Sequence, residues 1–324
     1  MISGTSSIVG SSSAVRQLRS LIEVAAPSNL PVLIQGPTGS GKELVAAALH
    51  SGSARTGRLV AFNVCAIGDS MFEDALFGHV RGAFTGAVSD SLGLLREADR
   101  GTVFFDEISG LHGSLQAKLL RAIETQEFRP VGANRDTRSV FRFVAATNEP
   151  LDQLVASGRF RMDLAYRIGA IVIHVPPLVQ RLEDIAELTR HFLSLAGSPA
   201  SRVDVDAIRA LQQHTWPGNI RELKQVVEWA CVLGSGRVSA RVIELALSQR
   251  MPGNACSNGR NEDAREYVEL RTLLAVHEWD TERAARALGV HRATLYRRMK
   301  RQQIATPVSL RGRNEETPSA AMIG

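Results

Sequence analysis

Cysteine is scarce in this 324-residue chain: Cys65, Cys231 and Cys256 are odd in number, far apart and part of no Cys-x-x-Cys pair. That excludes a disulfide framework and argues against a structural zinc site. No apolar run approaches the ~18 residues that a membrane helix needs, and the opening MISGTSSIVG lacks the basic-then-apolar order of a secretory leader. Fixed-period repeats and long low-complexity tracts are missing as well. Acidic residues are absent from one region in particular. From Arg283 to Arg313 there are nine Arg or Lys and no Asp or Glu, so the chain's net charge of +5 leaves minus four for the remainder. The basicity is therefore concentrated near the C-terminal end, where a polyanion can be held. Hydrophobic residues at 44% and charged residues at 22% are ordinary for a globular protein, and the composition as a whole predicts a cytoplasmic chain of two or three compact units.

What is present falls into blocks. PVLIQG (31–36), LVAFNV (59–64), TVFFDE (102–107), FRFVAAT (141–147) and AIVIHV (170–175) are short apolar runs separated by helical patterns. Continuous runs of this kind suit strands buried on both faces, and their alternation with helices predicts a mostly parallel α/β sheet over 8–176, after a short extension at 1–7. Beyond Pro176-Pro177 the strands stop and 183–195, 204–213, 219–233 and 239–249 read as amphipathic helices, within a helical unit over 177–250. MPGNACSNGRNED (251–263) has the composition of a linker, 264–302 reads as a compact helical unit, and 303–324 as a tail.

GPTGSGKE, from Gly36 through Pro37, Thr38, Gly39, Ser40, Gly41 and Lys42 to Glu43, fits G-x-x-x-x-G-K between a strand and a helix. Glycine-rich backbone N–H groups and a helix N-terminus form an anion site, to which Lys42 adds a mobile positive charge for terminal phosphates. Glu43 stands where Ser or Thr usually helps hold Mg²⁺. A second buried run ends in Asp106-Glu107, which suits one carboxylate for Mg²⁺ and the next for an attacking water. Asn148 follows the strand FRFVAAT, where its amide can contact a γ-phosphate, and Arg161 and Arg167 are candidate charge-neutralising groups.

Two further stretches carry information. RGAFTGAV (81–88) sets Phe84 and Thr85 between glycines, which suits either a tight turn that tucks Phe84 into the core or a mobile loop that presents both side chains to a partner. TERAARALGVHRATLYRRMKRQ (281–302) reads as two helices around Gly289-Val290, with Ala285, Leu288, Val290, Leu295 and Met299 as a small core. Arg292, Thr294, Arg297, Arg298 and Arg301 stay outside that core, as in a helix-turn-helix whose basic second helix enters a major groove. Thr294 and Arg297 are the expected base readers, with Arg298, Lys300 and Arg301 on phosphates. His291 occupies a helix-start position where Ser or Asn is more usual.

These motifs, in this order, resemble the bacterial enhancer-binding proteins, the AAA+ ATPases that activate sigma-54 RNA polymerase. The resemblance runs from about Ile8 to Gln302 and rests on GPTGSGKE, GAFTGA, FFDE, ATN, FRxDLxxR and WPGNIREL. It implies an AAA+ P-loop ATPase with a helical lid and a Fis-type helix-turn-helix. It also implies ATP and Mg²⁺ as cofactors and a ring, usually a hexamer. Gly36 to Glu43 would hold phosphates, Asp106 the Mg²⁺, and Glu107 the water. Asn63 resembles the residue that restrains the catalytic glutamate, Asn148 the first sensor, Arg221 the second sensor, and Arg161 and Arg167 the fingers that reach a neighbouring subunit's ATP. Met162 and Ala165 depart from the usual finger motif. Gly82, Ala83, Phe84, Thr85, Gly86 and Ala87 resemble the signature loop that contacts sigma-54, and GANRDTRS (132–139) a second loop beside it.

About seven residues precede IVGSSSAVRQL, which resembles the start of the family's ATPase domain. The expectation is a variant without a regulatory domain ahead of it, controlled by its amount, by a separate inhibitor or by co-assembly with a related activator. Two other readings are a DNA-binding regulator that does not remodel polymerase and an AAA+ machine acting on other proteins. Intact GAFTGA, Asp106-Glu107 and both arginines favour the activator over the first, and the helix-turn-helix opposes the second.

Overall fold

The computed structural model describes residues 8–197, 202–234, 237–248, 270, 273, 274, 277, 279–301 and 304. The extension at 1–7, the linker at 251–263 and nearly all of the 303–324 tail lie outside the described residues. Contacts divide the chain into two compact units, Met1–Ala200 with Ile208–Glu228, and Ser201–Ala207 with Trp229–Gly324.

Five parallel strands organise the first unit: β1 (Val32–Gln35), β2 (Leu59–Asn63), β3 (Thr102–Asp106), β4 (Arg142–Thr147) and β5 (Ile171–His174), in the spatial order β2-β3-β4-β1-β5. All five coincide with the expected apolar runs. Each central strand is buried on both faces, and its side chains alternate. Leu33, Val103, Phe105, Phe143 and Ala145 face one apolar cluster, whereas Val32, Ile34, Phe104, Val144 and Ala146 face another. The first cluster is closed by Leu115, Leu119 and Ile123 of the helix Gly113–Thr125. The second is closed by Leu18 and Ile22 of Ser13–Ala25, and by Val45 and Leu49 of Lys42–Ser51.

Topology places the site. The chain leaves β1 toward β2 and leaves β4 toward β5, so the two connections diverge between neighbouring strands and open a crevice at their carboxyl ends. The loop after β1 and Asn148 after β4 border that crevice. Arg142 secures the opposite end of the sheet: its guanidinium donates to Ala26 O at 2.7 Å and Ala25 O at 2.8 Å, capping the last turn of Ser13–Ala25. Burial lowers its pKa to about 10.

Small pieces of sheet escaped the sequence pattern. Glu127–Phe128 and Thr137–Arg138 form an antiparallel pair that closes the 132–139 loop. Strands do not stop entirely at Pro177, because Arg202–Val203 and Arg237–Val238 pair in parallel in the second unit. Two-residue strands carry too little periodicity to be read. The four amphipathic helices occupy Ile185–Leu195, Val205–Gln212, Asn219–Gly234 and Ala240–Ser248. No helix among the described residues is long and apolar enough to cross a membrane.

Candidate nucleotide site, loop and DNA-binding helix

The Gly36–Glu43 segment is a P-loop built by positive-φ glycines. Gly39 has φ +75° and Gly41 has φ +103°, conformations that L side chains rarely adopt, and Gly41 is the N-cap of Lys42–Ser51. Close packing adds a second requirement: a Cβ on Gly36 would lie 2.8 Å from Val175 O. Lys42 is buried, its Nζ donates to Gly36 O at 3.0 Å, and it lies 3.6 Å from Glu107 Oε1. Glu107 follows β3 with φ +56°, a left-handed conformation unusual for a non-glycine residue and found where the surroundings over-determine the backbone. Asp106 ends β3, and among the described residues no donor is bonded to its carboxylate. Among the described residues no group of three or more His, Cys, Asp or Glu is placed to hold a metal ion. Asn148 Nδ2 donates to Thr38 Oγ1 at 3.3 Å, bringing the amide onto the loop.

The other expected site residues are placed differently. Asn63 is the register partner of Asp106, but its Oδ1 accepts from Cys65 N at 2.9 Å and caps the turn that follows, while the Glu107 carboxylate faces Lys42. Arg161 and Arg167 lie exposed on or beside the helix Met162–Ile168. Arg161 pairs with Asp163 at 2.7 Å, which raises the arginine's pKa and lowers the carboxyl's. Arg221 reaches the P-loop through its backbone, donating to Gly39 O at 3.2 Å, with its side chain exposed.

Sequence reasoning missed an apolar pocket beside the P-loop, lined by Ile8, Val9, Leu44, Arg181, His191 and Ile220 among others. It suits a flat base next to a phosphate cradle. Three residues after Arg181, the Asp184 carboxylate accepts from Ser11 N and Ser12 N at 2.8 Å and from Ser12 Oγ at 2.6 Å. The readable signal was the apolar start IVG; Arg181 carried none, because an isolated arginine reads as a surface charge.

The Gly82–Ala87 loop stands on a short stem. His79 and Ser91 exchange backbone hydrogen bonds at 3.1 and 2.9 Å, and Arg81 N donates to Asp90 Oδ1 at 2.8 Å. Gly82 N donates to Ala87 O at 2.9 Å, closing the tip. Phe84 is neither in the core nor free. It is 46% exposed, and its ring meets the edge of His79 at 4.9 Å, while His79 Nδ1 is bonded to Asp74. The 132–139 loop is joined to the same stem: Val80 N donates to Val131 O at 3.1 Å, and a Cβ on Gly132 would lie 2.7 Å from Ala83 Cβ.

In the second unit, Thr281–Ala287 and Arg292–Arg301 form the expected two helices around Gly289, which has φ +65°. Ala285, Leu295 and Met299 are buried as expected. His291 serves as the helix start after all, its ring Nδ1 accepting from Ala293 N at 3.3 Å. Arg292, Thr294, Arg297 and Lys300 are exposed. Arg298 is half-buried and engaged, which corrects its expected freedom, and the Arg301 side chain lies outside the described residues. Arg292 stacks over Tyr296 at 5.6 Å.

Comparison with known proteins agrees with this arrangement. Residues 8–174 match the Sigma-54 interaction domain, 179–257 the AAA+ ATPase lid domain, and 264–301 the bacterial regulatory protein, Fis family. The chain belongs to the sigma-54-dependent transcriptional activators. Among members of this family, it is 41% identical to the transcriptional regulatory protein ZraR of Klebsiella oxytoca over 303 residues, covering 91% of this chain and 68% of ZraR. It is 38% identical to the putative uric acid sigma-54-dependent transcriptional regulator UacR of Escherichia coli, covering 92% of this chain and 54% of UacR. The crystal structure of NtrX from Brucella abortus in complex with ATP superposes with a TM-score of 0.67 at 32% identity, over 91% of this chain and 69% of NtrX. The chain thus spans between about half and two thirds of these proteins' lengths. As a family member it carries an AAA+ ATPase domain, a sigma-54 interaction domain and a DNA-binding helix-turn-helix.

Proposed function

We propose that this chain binds DNA upstream of promoters and uses ATP hydrolysis to convert closed sigma-54 RNA polymerase complexes into open ones. The observation that carries this reading is one continuous segment: Asn63, register partner of Asp106, leads through the helix Asp69–Phe77 to His79 and the Gly82–Ala87 loop, where Phe84 and Thr85 are exposed. A change at the nucleotide site therefore has a short path to a surface able to touch another protein.

In this reading, 8–176 and 177–250 are the ATPase and lid subdomains and 264–302 the DNA-binding domain. ATP phosphates lie against the Gly36–Glu43 amides. Lys42 leaves Gly36 O and Glu107 for the phosphates, freeing the Glu107 carboxylate to orient water. Asp106, with its unbonded carboxylate, holds Mg²⁺, which supplies charge neutralisation on the phosphate oxygens. Asn63 restrains Glu107 in one nucleotide state, and Asn148 senses the γ-phosphate through its place on Thr38. Arg221 acts from the lid. Exposed Arg161 and Arg167 reach the ATP of an adjacent subunit in a hexameric ring. Phe84 and Thr85 contact sigma-54. Thr294 and Arg297 read bases, with Arg292 beside them on the same helix, and Lys300 and Arg301 hold phosphates.

The test combines the protein, ATP, sigma-54 polymerase and a promoter with upstream sites, with strand opening read by permanganate reactivity. ATP-dependent opening is expected. ATP hydrolysis without opening, while a known activator succeeds in parallel, would overturn the proposal in favour of a DNA-binding regulator.

A further inference from the structure

Three consecutive carbonyls of the P-loop are each taken by a donor from elsewhere in the first compact unit. Thr38 O accepts from Asn219 Nδ2 at 3.1 Å, Gly39 O from Arg221 N at 3.2 Å, and Ser40 O from Arg181 Nη2 at 2.9 Å. A trans peptide is planar, so the direction of a C=O fixes the opposite direction of the next N–H. Carbonyls drawn toward Asn219 and Arg181 therefore turn the amides of Gly39 and Gly41 to the other side, where an anion can be cradled, while the Ser40 amide, which follows the carbonyl held by Arg221, donates to Pro37 O at 3.2 Å.

The donors are built for this task. Asn219 is 3% exposed and uses both ends of its amide, since Oδ1 accepts from Leu178 N at 2.9 Å while Nδ2 holds Thr38. Its backbone has φ +52°, a conformation that Asn tolerates better than most residues. The surrounding turn is self-supporting: Gly218 N donates to Glu222 Oε2 at 2.8 Å, and buried Trp216 donates through Nε1 to Leu211 O at 2.9 Å. Arg181 is 2% exposed and sits at a kink (φ −142°, ψ 44°) in the segment Leu178–Asp184. Its Nε has no hydrogen-bond partner among the described residues, and burial lowers its pKa despite nearby Asp184. A buried guanidinium with an unpaired donor is a costly way to fill space, and an apolar side chain would fill it better. Finally, a Cβ on Gly39 would lie 2.4 Å from Gly218 O, so the loop and the turn have no room to slide past each other.

We propose that Asn219 and Arg181 are positioning residues for the nucleotide: they set the tilt of the P-loop peptides, and the phosphate cradle is complete only while the Leu178–Asp184 segment and the Trp216–Glu222 turn are docked on it. This rests on the reading of Gly36–Glu43 as an ATP site. It gives the lid an action on ATP through the backbone, separate from any contact made by the Arg221 side chain.

Asn219→Asp keeps the acceptor for Leu178 and tolerates the left-handed backbone, but sets a carboxylate oxygen against Thr38 O. Asn219→Gly keeps the backbone and removes both bonds, and Arg181→Met removes the donors at similar length. In the full chain, binding of a fluorescent ATP analogue is expected to weaken at least tenfold for Asn219→Asp and three- to tenfold for the other two. KM for ATP should rise in step, with kcat changing less than threefold at saturation. The rise in melting temperature on adding ATP should shrink, while the melting temperature without nucleotide falls by only a few degrees. A merely structural role would do the reverse, lowering the nucleotide-free melting temperature and leaving the affinity of the folded fraction unchanged. Affinities within twofold of the parent for Asn219→Gly and Arg181→Met overturn the proposal, even if Asn219→Asp fails to fold. Should the parent chain itself bind no ATP analogue, the ATP-site reading fails instead.

Discussion

The P-loop and the Gly82–Ala87 loop are both glycine-rich, yet their glycines do opposite things. Around Gly36 and Gly39 the space is full: an added Cβ would meet Val175 O at 2.8 Å or Gly218 O at 2.4 Å. Around Gly82 and Gly86 nothing lies within 4 Å of such an atom, although φ is +83° and +103°. One loop is held from outside at successive carbonyls; the other is closed on itself and rests on its surroundings through the Phe84–His79 contact and the Ala83–Gly132 approach. Glycine in the first permits close packing, and in the second it permits a turn that can be remade. A crowded loop and a turn with open space around it thus share one residue type.

Four tests by substitution and one titration break or sharpen this contrast. Glu107→Gln should lower ATP turnover by about 10² to 10⁴, in the range for losing a group that orients or deprotonates the nucleophile, with ATP binding retained; a phosphate-release assay decides it. Thr85→Ala should abolish promoter opening with ATP hydrolysis within about twofold of the parent, whereas Lys42→Ala should lose both. Normal opening by Thr85→Ala would remove the contact role of the loop. Gly39→Ala should weaken ATP binding by about tenfold or more, because the clash with Gly218 must displace the cradle, while Gly82→Ala leaves binding unchanged. Equal effects of the two alanines would erase the distinction drawn above. Loss of the His79 ring in His79→Ala should speed chymotryptic cleavage after Phe84 by roughly two- to tenfold, the range expected for an aromatic pair worth ~0.5–1.5 kcal/mol.

The smallest effect lies at the amino end of the sheet. Burial, with Arg55 and Arg142 nearby, lowers the pKa of His50 below 6.5, and its Nδ1 is 2.9 Å from Thr102 Oγ1. A base with a lowered folded pKa binds fewer protons folded than unfolded. Its contribution to stability is therefore complete above pH 6.5 and declines as pH falls through that value toward the folded pKa. Urea midpoints measured at acid and neutral pH should show a shallower decline in His50→Gln than in the parent.

How much of this was legible beforehand depended on the kind of interaction. The five strands were readable because parallel strands buried on both faces leave continuous apolar runs, and the phosphate loop because its glycines follow one run and open a helix. Asp106 and Glu107 were readable from their place at a strand end. Arg142, Arg181 and Asn219 were not: each is a polar side chain whose partners are backbone carbonyls or amides far along the chain, and no local pattern records such a partner. The resting place of Phe84 was half legible, since two glycines announce a turn but say nothing of the His79 ring that the turn brings back.

The Asp184 carboxylate has a mechanical meaning as well. It grips Ser11 and Ser12 through three hydrogen bonds, and a Cβ on Gly10 would come within 2.8 Å of it. Ile8 and Val9, on the wall of the apolar pocket, precede that grip, and Arg181, on the same wall, stands three residues before Asp184. A pull on the chain at Ile8 would be felt by the pocket wall first and would then stop at Asp184.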